Sequence, residues 1–228
     1  MEGVDVPAPV GGFFQAVPAG DRALLLDSGV VRPFAAGAVI MHEGDPSEHV
    51  LVIRRGCVKV LSSAPRGAQI VLGIRGPDDI VGELAALDGR PRRGTVITID
   101  EVEALVIPGT RFVHLLNERP AISIAVARVM SERLAEADRY RLTGGSLGVK
   151  PALARLMLDL AARYGRPTAD GGWTLGVRVT QTDLADILAV SLRTIARTFA
   201  AWRRAGVITT DRQMIVIRRP SVLRSLTD

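Results

Sequence analysis

The chain switches from a strand pattern to a helical one near residue 108, and that change limits the folds open to it. Before it, short β-favouring runs recur: Val50-Leu51-Val52-Ile53, Val58-Lys59-Val60-Leu61, Ile70-Val71-Leu72 and Thr95-Val96-Ile97-Thr98-Ile99. Gly37, Gly44-Asp45-Pro46, Gly56, Pro65-Arg66-Gly67 and Gly76-Pro77-Asp78-Asp79 separate them. Runs this short, punctuated this often, predict a sandwich or barrel closed on itself over residues 30–107. Residues 1–20, rich in Pro, Gly and Ala, predict a loose arm, and Asp21 is placed to cap a helix over Arg22–Ser28.

After the change the pattern is helical. Thr110–Asn117 predicts a short helix stopped at Glu118-Arg119-Pro120, and Ala121–Leu142 a long one. At 1.5 Å per residue the second is about 33 Å long. Ile122, Val126, Val129, Met130, Arg133, Ala137 and Tyr140 share one face of it. Such a helix either stays buried in one domain or pairs with a second copy of itself. Thr143-Gly144-Gly145-Ser146 predicts a hinge. Beyond it, Pro151–Tyr164 reads as a helix closed by Gly165, Ala169-Asp170-Gly171-Gly172 as a turn and Leu175–Val179 as a strand. Helices over Gln181–Leu188 and Ser191–Ala205 follow, then a hairpin of Val207–Thr209 and Met214–Ile217. The expected domains are residues 1–110, 111–145 and 146–228.

Charge divides along the same line. Residues 143–228 hold 13 Lys or Arg against 6 Asp or Glu, a net of +7, whereas the preceding residues sum to −2. A basic excess confined to one end predicts a polyanion-binding module. Thr180 to Arg197 has helix-turn-helix spacing, with Thr180 and Ser191 as N-caps. Leu184, Ile187 and Leu188 would face Ile195 and Phe199, and small Ala185 allows close helix contact. The candidate DNA contacts are Thr180 and Gln181 on the first helix and Ser191, Leu192, Arg193, Thr194 and Arg197 on the second. The start of a recognition helix meets base edges in the major groove. Arg203, Arg204, Arg212, Arg218 and Arg219 are candidate phosphate contacts. The competing reading is a helical hairpin whose arginines only solvate its surface.

The most specific stretch is Gly82-Glu83-Leu84-Ala85-Ala86-Leu87-Asp88-Gly89-Arg90-Pro91-Arg92-Arg93-Gly94-Thr95-Val96. It predicts one helical turn over Glu83–Leu87, whose free N–H groups attract an anion. Gly82 permits close approach, Arg92 supplies the countercharge and Glu83 accepts from a sugar hydroxyl. The plainer alternative pairs Glu83 with Arg92 in a structural loop.

A strand-rich module, this motif, a long helix and a winged helix-turn-helix together resemble the CRP/FNR family of bacterial transcription regulators, over about residues 13–220. The resemblance implies an α+β protein: an N-terminal β jelly-roll, a long dimerisation helix and a C-terminal winged helix-turn-helix. The motif resembles the phosphate-binding cassette of cyclic-nucleotide-binding domains. The family's cassette Gly and Glu match Gly82 and Glu83, followed by Leu84, and its phosphate-pairing arginine matches Arg92. Arg93 stands where the family usually has Ser or Ala. Cyclic-AMP-responsive members contact adenine through a Thr-Ser pair late in the long helix, here aligned with Ala137 and Asp138. Ala137 has no hydrogen-bonding side chain, and ionised Asp138 only accepts. The recognition helix also departs, with Leu192 and Arg193 where those members carry Arg and Glu.

The resemblance implies a ligand-responsive homodimer on an inverted-repeat operator, with double-stranded DNA and RNA polymerase as partners and cyclic AMP or a related cyclic nucleotide as ligand. A constitutive regulator with a vestigial site, or one sensing another small ligand, is the alternative. The single cysteine, Cys57, excludes an intramolecular disulfide and an iron–sulfur cluster held by several cysteines. His42, His49, His114 and Cys57 are the available haem ligands. Scattered histidines and unclustered carboxylates argue against a cyclic-nucleotide hydrolase, so no enzyme, metal or covalent cofactor is expected. No apolar stretch approaches the roughly 18 residues of a spanning helix, and the acidic start Met1-Glu2-Gly3-Val4-Asp5 is unlike a signal peptide. A cytoplasmic protein without membrane contact is expected.

Overall fold

The computed structural model describes residues 12–46, 48–63, 69–146, 148–211 and 214–227. Residues 1–11 of the expected arm, the turn at Pro65-Arg66-Gly67, Arg212, and the side chain of Tyr140 lie outside the described residues. The chain divides into two compact units, Gly11–Ala135 and Glu136–Asp228.

The first unit begins with α1 (Phe13–Ala16) and α2 (Ala19–Asp27), where a loose arm was expected through residue 20. Phe13 and Phe14 are the reason: both are buried, and Phe13 meets Phe112 edge-on with ring centroids 6.4 Å apart. Pro18, not Asp21, occupies the N-cap of α2, which places the Asp21 carboxylate inside the first turn. An anion there suits the positive end of the helix.

Eight strands follow: β1 (Val30–Phe34), β2 (Val39–Met41), β3 (His49–Arg55), β4 (Val58–Ser63), β5 (Gln69–Arg75), β6 (Ile80–Val81), β7 (Thr95–Thr98) and β8 (Val102–Pro108). Helix α3 (Glu83–Asp88) sits between β6 and β7. The strands form two antiparallel four-stranded sheets, ordered β1-β8-β3-β6 and β2-β7-β4-β5. Strand β3 shows why the run Val50–Ile53 does not alternate with polar residues. Val50 and Val52 join a core with the helices, while Leu51 and Ile53 join a second core with Met41, Val58, Val81 and Val96. Successive side chains of a strand point to opposite faces, so both faces of β3 are apolar.

Helix α4 (Gly109–Glu118) leads into α5 (Pro120–Ser146). The expected stripe of α5 is buried by its own unit: Ile122, Val126 and Val129 pack with Phe13, Leu105 and Phe112. Among the described side chains, the large apolar ones left exposed on α5 are different, Ile124 at 52% and Leu134 at 62%. The expected break at residues 143–146 is absent. Helix α5 runs through Gly144-Gly145, a tolerable cost of about 1 kcal/mol per glycine, and Gly148 instead begins the next helix as its N-cap.

In the second unit α6 (Val149–Tyr164) buries Leu153, Leu156, Met157 and Leu160. Strands β9 (Gly165–Pro167) and β10 (Trp173–Leu175) precede α7 (Gln181–Ile187) and α8 (Leu192–Arg204), and β11 (Ile208–Asp211), β12 (Met214–Ile217) and α9 (Pro220–Arg224) close the unit. The hairpin of β11 and β12 belongs to a larger sheet, ordered β11-β12-β10-β9. The strand expected over Leu175–Val179 stops at Leu175. There Gly176 N–H turns to the Tyr164 carbonyl at 2.9 Å, although Val177 and Val179 remain buried.

Candidate ligand and nucleic-acid sites

In the first unit, the predicted cassette folds around a cavity of about 150 Å³. Met41, Val60, Leu72, Val81 and Val96 supply its apolar walls, and Gly82, Glu83, Leu84, Arg92 and Arg93 also line it. Gly82 is the N-cap of α3 at φ +84°, where an L side chain is strained. A Cβ there would stand 2.5 Å from Arg92 Nη1 and 2.8 Å from Met41 Cε. Glycine therefore lets the guanidinium close onto the backbone: Arg92 Nη1 donates to the Gly82 carbonyl at 2.9 Å and Nη2 to the His49 carbonyl. The Arg92 main chain is held as well, its N–H donating to the Asp45 carbonyl at 2.8 Å and its own carbonyl accepting from Gly44 N–H at 2.9 Å.

Burial pulls the Arg92 guanidinium below its ordinary pKa, against the opposing pull of Glu83, Asp45 and Glu48. Burial and the Arg92 charge likewise hold His49 below the usual imidazole value. Glu83, only 2% exposed, does not form the loop pair with Arg92 that was the plainer expectation. Its Oε1 accepts from Arg133 Nη1 at 2.7 Å, and its Oε2 is buried with no hydrogen-bond partner among the described residues. A buried carboxylate oxygen left unmatched costs free energy until a donor reaches it. The arrangement is thus suited to a ligand carrying both an anion and a hydroxyl. Arg93 pairs with Asp88 at the cavity's edge. Ala137 and Asp138 belong to the second unit, Ala137 half-buried and Asp138 exposed.

Two residues of this cavity were not singled out from sequence as site residues. Arg133 clamps Glu83 and also donates from Nη2 to the Ile80 carbonyl at 2.5 Å. Its signal was a cation placed on an otherwise apolar helix face. Arg75 lines the same cavity from the end of β5; a cation closing an apolar strand was the corresponding clue. Of the haem candidates, His42 and His49 line one pocket together with Arg92. His114 pairs with Glu118 at 3.3 Å, and burial pushes the Cys57 thiol up to about 12. Among the described residues no three His, Cys, Asp or Glu side chains are grouped to hold a metal.

The second unit presents a different surface. Thr180 Oγ1 accepts from Asp183 N–H at 3.1 Å and Asp183 Oδ2 accepts from Thr180 N–H at 2.9 Å, a reciprocal cap that starts α7. Ser191 Oγ accepts from Thr194 N–H at 3.2 Å and starts α8. Ile195, Phe199 and Trp202 anchor α8 inward. That leaves Ser191, Arg193, Arg197 and Leu192, at 48%, exposed on its N-terminal half, with Thr194 half-buried beside them. Gln181 is half-buried at the start of α7. Among the described residues no carboxylate pairs with Arg193, Arg197, Arg204 or Arg219. Arg218 instead pairs with Asp170 at 2.6 Å, and Arg203 donates to Thr210 Oγ1 at 3.2 Å.

Comparison with known proteins matches both units. Residues 31–119 fit the model of a cyclic nucleotide-binding domain and residues 152–226 that of a Crp-like helix-turn-helix domain. A CRP-like cAMP-activated global transcriptional regulator of Mycobacterium tuberculosis is 30% identical over 210 residues, covering 90% of this chain and 92% of that protein. Solved structures share the fold. The c-di-GMP-responsive global regulator CLP of Xanthomonas campestris superposes with TM-score 0.74 at 21% identity, over 88% of this chain and 99% of that one. FixK2 of Bradyrhizobium japonicum does so with TM-score 0.76 at 17% identity, over 88% and 98%. A jelly-roll cassette and a winged helix-turn-helix in this order, matched along nearly the whole length, make the chain a member of the CRP family of DNA-binding transcription regulators.

Proposed function

We propose that the chain is a homodimeric regulator that binds an inverted-repeat operator and is gated by a cyclic nucleotide in the first unit's cavity. Cyclic AMP, named for the mycobacterial relative, is the reference ligand. The buried, unpartnered Oε2 of Glu83 carries this reading. It stands in one cavity with Arg92, so a ribose hydroxyl can satisfy the carboxylate while the cyclic phosphate meets the guanidinium and the first turn of α3. Arg133 positions Glu83 for that contact.

Dimerisation is supported by α5, where Ile124, Ala127, Ser131 and Leu134 fall at helical spacing on one exposed face. An apolar and small-residue stripe of this kind suits pairing with a second copy. The two recognition helices then read half-sites about 34 Å apart. Arg193 and Arg197 read base edges, with Thr180, Gln181, Ser191, Leu192 and Thr194 around them and Arg204 and Arg219 on phosphates. The ligand works through its differential affinity for two dimer states, with Ala137 and Asp138 on α5 as the part that responds. RNA polymerase is the partner a regulator acts through, and the cytoplasm is where both are met. No described helix is long and apolar enough to cross a membrane. The role requires no turnover of ligand.

Calorimetric titration of nucleotide-stripped protein with cyclic AMP and cyclic GMP tests the cavity. Saturable binding that disappears in Arg92→Ala is expected. Absence of heat with either nucleotide, from protein that still binds DNA, would replace this reading with the constitutive one.

A further inference from the structure

Arg75 is unused by the function proposed above, yet it is the most conspicuous unbalanced charge in the cavity. It is 6% exposed. Arginines at that depth are almost always paired, because a buried charge without a partner is costly. Among the described residues, its one hydrogen-bond acceptor is the adjacent Ile74 carbonyl, 2.7 Å from Nη1, and no carboxylate pairs with it. The other cations of the lining are accounted for: Arg133 by Glu83, Arg93 by Asp88, and Arg92 by two carbonyls and the proposed phosphate.

The Arg75 guanidinium has a seat made for it. A Cβ on Gly73 would come within 2.5 Å of Nη1 and 3.0 Å of Nη2, so any side chain at position 73 would displace the charged group.

The sheet also fixes where that seat lies. Met41, Val96, Val60 and Gly73 are register partners in succession across β2, β7, β4 and β5, forming one row. Arg92 Nη1 and Met41 Cε crowd the same point beside Gly82, which marks the β2 end of the row. Arg75 marks the β5 end. Three strand-to-strand steps of about 4.8 Å put the two ends about 14 Å apart. Val96 and Val60, the two residues between these ends, are apolar and line the cavity. A nucleotide has this shape: a charged phosphate at one end, a flat base edge at the other, and a sugar in the middle.

We infer that Arg75 reads the base and selects guanine over adenine. The inference rests on the nucleotide reading of the cavity. Guanine offers two adjacent acceptors, O6 and N7, which match two guanidinium N–H donors. Adenine offers N7 beside an N6 amino donor, so one buried N–H of Arg75 would face another donor and remain unsatisfied. This reverses the order of ligands drawn from the family resemblance, with cyclic GMP ahead of cyclic AMP.

The test is calorimetric titration of stripped wild type, Arg75→Met, Arg75→Gln and Arg92→Ala with both nucleotides, each variant first checked for a native thermal transition. Wild type is expected to bind cyclic GMP at least about 10-fold tighter, the low end of the discrimination a bidentate base contact provides. Arg75→Met should bring the ratio near one by weakening cyclic GMP alone. Arg75→Gln, whose amide complements adenine N6 and N7, should tip it toward cyclic AMP. Arg92→Ala should weaken both alike. Equal affinities in wild type, or a ratio unmoved by both Arg75 substitutions, would overturn the base-reading role and leave the cavity a nucleotide site. Binding of neither nucleotide by wild type would overturn the inference together with the reading beneath it. Should Arg75→Met fail to fold, the wild-type ratio and Arg75→Gln decide.

Discussion

The two units face anions in opposite ways. On α8, Arg193 and Arg197 stand exposed, with no carboxylate partner among the described residues. In the β-sheet unit, Arg92 and Arg75 are buried, each docked on backbone carbonyls beside a glycine that makes room for it. Exposed cations are cheap, adaptable and screened by salt, which suits a long polyanion that many charges approach together. Buried cations cost desolvation before any ligand arrives, and in return hold a fixed geometry that a small ligand must match. In the proposed function, strength thus comes from number in one unit and selectivity from placement in the other.

Salt separates the two most strongly. If the dimer makes about six to ten phosphate contacts, raising salt from about 50 to about 200 mM should weaken operator binding by about 10³–10⁵-fold. Nucleotide binding at the buried site should change by only a few-fold over the same range, since buried pairs are screened much less. Equal salt slopes, from filter binding and calorimetry, would erase the distinction.

The next effect is on folding. Arg133→Ala leaves the Glu83 carboxylate buried without its 2.7 Å partner, a loss of about 3–5 kcal/mol in denaturant unfolding. Adding Glu83→Gln in that background should recover much of it, because the uncompensated charge is gone. On α8 the pattern is inverted. Arg197→Ala should cost about 1–3 kcal/mol in operator binding yet alter unfolding by less than about 0.5 kcal/mol. A stability loss there as large as that of Arg133→Ala would show that Arg197 is part of the fold. The smallest effect lies in the turn before α8, where Ala189 sits at φ +52°. Ala189→Gly should raise stability by about 1 kcal/mol or less, readable as a small shift in denaturation midpoint, with operator affinity unchanged.

The same contrast governs what could be read from the residues alone. The exposed module was legible because each of its signals is local. Thr180 and Ser191 are caps, Leu184, Ile195 and Phe199 are an apolar face, and the basic excess is a count. The cassette was legible as a motif, but its partners were not. Glu83 meets Arg133, which lies 50 residues away, rather than Arg92 at nine, because α5 folds its first half back onto its own unit. The seat of Arg75 depends on β-sheet register, which no single strand's sequence displays. Local rules also failed at the helix ends. Buried Phe13 and Phe14 turned the last stretch of an expected arm into helix, and α5 continued through Gly144-Gly145 despite their poor propensity.

In the proposed function, filling the cavity changes how the exposed module binds. Operator affinity should therefore be measured at fixed salt, on a duplex selected from random sequence, for stripped protein with and without saturating cyclic nucleotide. Wild type is expected to bind about 5–150-fold tighter with ligand, the usual range of an allosteric coupling, and Arg92→Ala to show no change. Identical wild-type affinity with and without ligand, from protein shown to bind the nucleotide, would contradict the account and leave two anion sites that do not communicate.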